Sequence, residues 1–128
     1  KVLSEPERFE VLRVVYSVHS KKEIPSMRVE YDCQREDGNF VERINEWICF
    51  EHQGFARNKA TKWWKERSIA LVPSSVEEAV ELADLGAVAC PRFIEAQKDG
   101  KWWRVLKADI EEVPQTWNEV VVEEELPF

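Results

Sequence analysis

The chain has 128 residues, a formal net charge of −7, three cysteines and six tryptophans. This length fits one domain with its own hydrophobic core and is too short for two. With no run as long as a membrane span and no signal-peptide pattern at the start, the sequence predicts a soluble domain. The three cysteines are an odd number at irregular spacing and make a poor disulfide framework, which favours a reducing, cytoplasmic setting.

The charge is divided unevenly along the chain. All 18 Lys and Arg lie in residues 1–110 together with 19 acidic residues, whereas the other six acidic residues lie in 111–128. We therefore predict a nearly neutral globular domain over 1–110 and an acidic C-terminal extension over 111–128, docked by Trp117. The overall acidity does not exclude an anionic partner.

Three strands are predicted first, over residues 9–20, 27–33 and 40–50. The second has the clearest alternation of period two, and turn-forming residues at 36–39 separate it from the third. The first strand is expected to have one apolar face, formed by Leu12, Val14, Tyr16 and Val18.

Two helices are predicted next. Over residues 55–67 the apolar residues Ala56, Ala60, Trp63 and Trp64 fall on one arc of about 100°, with Arg67 near it. Ser75 and Glu78 form a capping box that starts a second helix, and Gly86 ends it.

Two further strands, over 88–97 and 102–110, flank residues 98–101, where the Asp-Gly pair favours a type I′ hairpin turn. The order β-β-β-α-α-β-β predicts an α+β domain with a five-stranded antiparallel sheet, the element order of the OB-fold barrel. A flat sheet with both helices on one face is the alternative.

Two basic elements are candidate nucleic-acid contacts. Cations at helical spacing can follow backbone phosphates, and tryptophan rings can stack on bases. The helix contributes Arg57, Lys59, Lys62 and Lys65, and the hairpin contributes Lys101, Trp102, Trp103 and Arg104. The alternative is that the cations only cover a wet helix face and the rings only fill the core. The two elements form one surface only if they lie side by side.

Catalytic and metal sites have weak support. Cys49 and His52, with Cys33 and Cys90, could make a zinc site, but only one pair is closely spaced and isolated cysteines are commonly core residues. Cys49 with His52 or His19 could form a nucleophile–base pair, but nothing in the sequence supplies a third, orienting group or an oxyanion hole. With no phosphate-binding glycine motif, we expect no enzyme activity, cofactor, metal or small-molecule substrate.

The sequence resembles the C-terminal accessory domain that follows the motor core in phage and bacterial DEAD/DEAH-box (superfamily 2) helicases. The segments that carry the resemblance are SMRVEY at 26–31, EWICFEH at 46–52, GFARNKA at 54–60, Trp63-Trp64 and PSSVEEA at 73–79. The resemblance implies a non-catalytic module that contacts DNA and belongs to a longer helicase-type chain. The start at Lys1 agrees with such an excised domain, whereas the acidic extension is not part of the pattern.

The leading hypothesis is therefore a DNA-binding accessory domain. The alternative is a protein-interaction domain that docks on the motor core or on a partner subunit. A small cysteine or zinc enzyme is the third reading. The sequence does not distinguish single strands from duplexes, and it does not give the strand order or the oligomeric state.

Overall fold

Seven elements follow one another in the computed structural model, which describes residues 4–113. They are β1 (Glu7–Lys21), β2 (Ile24–Arg35), β3 (Val41–Ile48), α1 (Phe55–Arg67), α2 (Val76–Asp84), β4 (Phe93–Asp99) and β5 (Trp102–Asp109). The predicted α+β domain with a five-stranded antiparallel sheet and two helices is confirmed. The expectations for the extension beyond residue 113, including docking by Trp117, lie outside the described residues. None of the helices in the described range is long and apolar enough to cross a membrane.

The strand order in the sheet is β3-β2-β1-β4-β5, so β1 is central and β3 and β5 are the edges. In a flat sheet, four strand spacings of about 4.8 Å would put the edges about 19 Å apart. Instead, Cα atoms of β3 and β5 come within 8 Å of each other without forming a hydrogen-bonded pair. The sheet is therefore strongly curled but not closed, which excludes the flat alternative and stops short of a closed barrel.

A β-bulge near the start of β1 changes which residues face the core. Val11 pairs with Cys33 and Arg13 with Asp32, so Leu12 is an extra residue without a partner on β2. The predicted apolar face of β1 is therefore wrong at Leu12, which is 53% exposed, and Val18 at the far end of that face is also exposed, at 44%. Val14, beyond the bulge, packs against the core as predicted.

The core lies between the concave face of the sheet and the two helices. On β2, the alternating residues Met27, Val29, Tyr31 and Cys33 are buried, as their period of two predicted. Helix α2 packs on β1 and β2, and α1 packs on β3. Trp64 fills the centre, with its ring edge-on to Phe50 at 5.8 Å and its indole N–H donating to the carbonyl oxygen of Ala70 at 3.0 Å.

The start of α2 is held by three side chains. The Ser75 hydroxyl accepts a hydrogen bond from the amide of Glu78 at 3.2 Å, as a capping box requires. In a capping box the Glu78 carboxylate would accept from the backbone N–H of Ser75. Here that carboxylate accepts from the hydroxyl of Ser74 instead. The Glu51 carboxylate accepts from the amide of Val76 at 3.0 Å, which ties the end of β3 to α2.

The β1–β2 and β4–β5 hairpins have different types of turn, and the turn of the β4–β5 hairpin differs from the predicted type. Lys22 and Glu23 both have positive φ, 51° and 67°, which is the type I′ pattern, although neither residue is glycine. In the β4–β5 hairpin the central pair is Gly100-Lys101, and only Gly100 has positive φ. The predicted type I′ turn there is therefore wrong, since positive φ at the first central position alone is typical of type II′.

Candidate nucleic-acid interface

Two cavities, of about 600 and 400 Å³, lie along the seam where β3 and β5 face each other, and each is lined by residues of both strands. We call them together the β3–β5 cleft, with a hairpin section and a helix section. The hairpin section is lined by Glu42, Arg43, Ile44, Asn45, Trp47, Lys98, Lys101, Trp102 and Trp103. The helix section is lined by Glu46, Lys59, Lys62, Trp63, Glu66, Arg67, Val105, Leu106, Lys107 and Ala108.

The cleft concentrates positive charge. Seven basic and three acidic side chains line it, for a net charge of +4. Residues 1–110 as a whole carry 18 basic and 19 acidic side chains, so this excess is local. A concave, positively charged surface raises the local concentration of anionic ligands.

Lys59 and Lys62 supply the freely available charge of the helix section. Both are exposed, three residues apart on α1, and neither forms an ion pair with any other described residue. Lys107 stands opposite on β5, with its ammonium nitrogen 3.8 Å from a carboxylate oxygen of Asp109. Exposed ammonium groups without an ion-pair partner in residues 4–113 suit contacts to phosphate as point charges.

Arg67 forms a buried cationic part of the same wall. Its guanidinium lies 4.4 Å from the ring centre of Trp63 and donates to the carbonyl oxygen of Trp63 at 3.1 Å. The Glu66 carboxylate lies 3.7 Å away. Position at the C-terminal end of α1 also favours the positive charge. The prediction that Arg67 lies near the apolar arc is confirmed, since it is only 4% exposed.

Glu46 fixes the floor of the helix section. One of its carboxylate oxygens accepts hydrogen bonds from the Tyr31 hydroxyl at 2.8 Å and from the Trp63 indole N–H at 3.0 Å. Burial, and after it the Glu46 charge, raise the pKa of Tyr31 well above its ordinary value. Tyr31 therefore stays a neutral donor to a higher pH than an ordinary tyrosine. Glu46 is engaged in holding these two side chains in place.

Three tryptophans meet in the hairpin section. Trp102 is 74% exposed. Trp103 packs edge-on against Phe9 at 5.1 Å, and Trp47 packs edge-on against His19 at 5.9 Å. Successive residues of a strand point to opposite faces, which explains why Trp102 and Trp103 differ in this way.

The predicted site residues divide into two groups. Lys59, Lys62, Lys101, Trp102 and Trp103 all line the cleft. The remaining three, Arg57, Lys65 and Arg104, do not line either section.

Among these three, Lys65 and Arg104 are exposed. Arg57 is drawn into the fold, because its guanidinium donates to the carbonyl oxygen of Phe50 at 2.7 Å and so ties α1 to the end of β3.

The lining residues outside the predicted site set include Arg43, Trp47, Lys98 and Lys107. Lys98 was detectable, because it pairs with Trp103 across the hairpin and its ammonium lies 5.4 Å from that ring. Arg43 and Trp47 were not, since only the curl of the sheet brings β3 opposite β5. Arg43 is also bound to Asp32 at 3.0 Å, which limits its freedom.

None of the cysteines and histidines lines this cleft. Burial raises the pKa of the Cys33 thiol to about 12, with smaller contributions from Glu42 and Asp32. Cys49 has its sulfur 3.1 Å from the Ser26 hydroxyl. Within residues 4–113, no group of three or more His, Cys, Asp or Glu side chains could hold a metal ion.

The resemblance noted in the sequence has no further support from comparison with known proteins. No protein-family model matches the chain. A search of curated proteins likewise finds no match.

Proposed function

We propose that this domain is a non-catalytic nucleic-acid-binding module, and that the β3–β5 cleft is its contact surface for DNA. The observation that carries the proposal is that Lys59 and Lys62 of the basic helix line one cavity with Lys107 of the basic hairpin, 45 or more positions away in the chain. The second cavity, lined by Lys98 and Lys101, lies along the same β3–β5 seam. The resemblance to helicase accessory domains supports DNA as the ligand and a longer helicase-type chain as the setting.

The chemistry of the cleft suits a phosphate backbone. Lys59 and Lys62 supply ammonium groups in the helix section, and Lys98 and Lys101 supply them in the hairpin section. Each phosphate that they neutralise releases condensed counterions, which favours binding at low salt. In the helix section, Glu46 is engaged by two hydrogen-bond donors, and the half-exposed carboxylate of Glu66 lies 3.7 Å from the Arg67 guanidinium. They oppose an incoming phosphate less than free carboxylates would.

The first test is binding of a fluorescently labelled oligonucleotide to the domain, followed by anisotropy. At about 50 mM salt, phosphate-driven binding is strengthened and should be detectable. If the four lysines each contact one phosphate of a single strand, the slope of log K against log salt should be about −2.8. Absence of binding at this low salt would refute the proposal for the domain.

A second test asks whether helix and hairpin serve one ligand. Lys62→Glu on α1 and Lys101→Glu on the hairpin should each weaken binding of the same oligonucleotide, since both residues line the cleft. Arg13→Glu is the charge-matched control, because Arg13 is exposed on β1 and lies outside the cleft. Equal losses from all three variants would mean that only the overall charge matters.

A further inference from the structure

We infer that the hairpin section of the cleft is a pocket for an unpaired nucleobase, so that the ligand is a single-stranded nucleic acid. The inference rests on the proposed function and narrows its ligand class. It is carried by Trp102, Trp47 and Trp103, which line one cavity of about 600 Å³. That volume lies within the range of about 300–1,000 Å³ typical of small-molecule sites.

The three tryptophan rings differ in their contacts and in their exposure. Contacts with Phe9 and His19 hold Trp103 and Trp47 in place. Trp102 is 74% exposed, so the fold leaves most of a large indole in water at the mouth of the cavity. A flat apolar ring in this position offers a stacking face that is not consumed by the core.

Charged and polar side chains line the same cavity as the Trp102 ring and can contact the phosphate and the base edge of a nucleotide. Lys101 directly precedes Trp102 in the chain, so one nucleotide can place its base on the indole and its phosphate near the ammonium. Lys98 lies on the other strand of the hairpin, above Trp103. Asn45 also lines this cavity, and its carboxamide oxygen is buried without a hydrogen-bond partner in the described part of the chain.

This arrangement discriminates against duplexes. In a duplex, the base faces are covered by neighbouring base pairs and the ring of Trp102 cannot reach them without unstacking. In a single strand each base can be splayed onto an aromatic ring. The lysines, by contrast, contact phosphates of either form, so they do not determine this preference.

The decisive experiment compares three labelled probes of equal length: a single strand, a single strand in which every site is abasic, and a duplex. The first two carry the same backbone charge and differ only in the bases. Base stacking should make the normal strand bind about 5- to 140-fold more tightly than the abasic strand. Tryptophan fluorescence should be quenched by the normal strand alone.

The variant Trp102→Ala should lower binding of the normal strand to the level of the abasic strand, while Trp102→Phe should retain part of the difference. The matched control is Phe55→Ala, which removes an aromatic ring that is 86% exposed and lies outside the residues that line the cleft. Since both residues are exposed, these changes leave the core intact, and far-UV circular dichroism checks this.

The possible failures are distinguishable. Salt-dependent binding with equal affinity for normal and abasic strands, or tighter binding of the duplex, would overturn the base pocket and leave the proposed function standing. An unchanged preference in Trp102→Ala, or an equal loss in Phe55→Ala, would also overturn it. Failure to bind any of the three probes would overturn the proposed function and the pocket together.

Discussion

Neutralising Lys59 and Lys62 together gives the sharpest test of the helix section. Both lysines are exposed on α1, line the cleft and form no ion pair with any other residue in the described range. Each should therefore contribute a full charge to a bound phosphate. The double change Lys59→Gln and Lys62→Gln removes both charges and keeps side chains that favour helix.

The magnitude follows from counterion release. For a single strand, each lost phosphate contact should reduce the slope of log K against log salt by about 0.7, so the double variant should be shallower by about 1.4. If the lines for variant and parent meet near 1 M salt, binding at about 0.1 M should be about 25-fold weaker. The difference should shrink steadily as salt is added.

The assay is anisotropy of a labelled single strand over a salt series from about 50 to 300 mM, the range where phosphate contacts dominate affinity. Lys65→Gln is the control on the same helix, and Arg13→Gln is the control on β1. Both residues are exposed and lie outside the cleft, so each should change the slope by much less. Parallel lines for the double variant, or an equal change in either control, would refute this assignment.

Three further predictions concern stability and are checked by denaturant unfolding. Trp64→Ala should lower the free energy of unfolding by about 3–5 kcal/mol because Trp64 is fully buried, whereas Phe55→Ala should change it by no more than about 0.5 kcal/mol; similar losses would contradict this account of the core. Ser75→Ala should cost about 1 kcal/mol through loss of the helix cap, and Ser74→Ala, whose hydroxyl bonds only an exposed carboxylate, much less. Because the folded state keeps the Tyr31 proton to a higher pH than the unfolded chain, its contribution to stability is fully present below about pH 10 and is lost above it, by up to about 1.4 kcal/mol per pH unit. Tyr31→Phe should make that alkaline decline less steep, and an unchanged decline would show that other groups cause it.

Much of the fold was predictable because the local signals agree with the tertiary structure. The alternation on β2 and the helical period of α1 are properties of the chain itself, and α1 has the predicted bounds Phe55–Arg67. Strand β4 was predicted to begin at residue 88 but begins at Phe93. Pro91 lies in that interval and has no N–H for a strand ladder.

The arrangement of the strands was not predictable, since it depends on contacts between distant segments. Pairing of β1 with β4 puts β1 in the centre, and no local pattern encodes that choice. The bulge at Leu12 changes the inward face of β1 by one residue, which a regular period of two cannot anticipate.

The candidate site likewise has a part that local sequence predicted and a part that depends on contacts between distant segments. Composition identified the basic helix and the basic hairpin separately, but their meeting depends on the curl of the sheet. Arg57 has the same charge and the same helix as Lys59, yet the carbonyl oxygen of Phe50 occupies its guanidinium. Trp47 follows the alternation of β3 away from the core, and only the approach of β5 turns that position into a cleft wall.

The unpaired seam between β3 and β5 also bears on self-association. An edge strand presents unsatisfied amide and carbonyl groups, which make it a template for addition of a strand from another chain. Here the two edges face each other with Cα atoms within 8 Å, leaving too little room for a further strand at the usual spacing on each side. The approach of the two edges therefore limits addition of a strand from another chain at this seam.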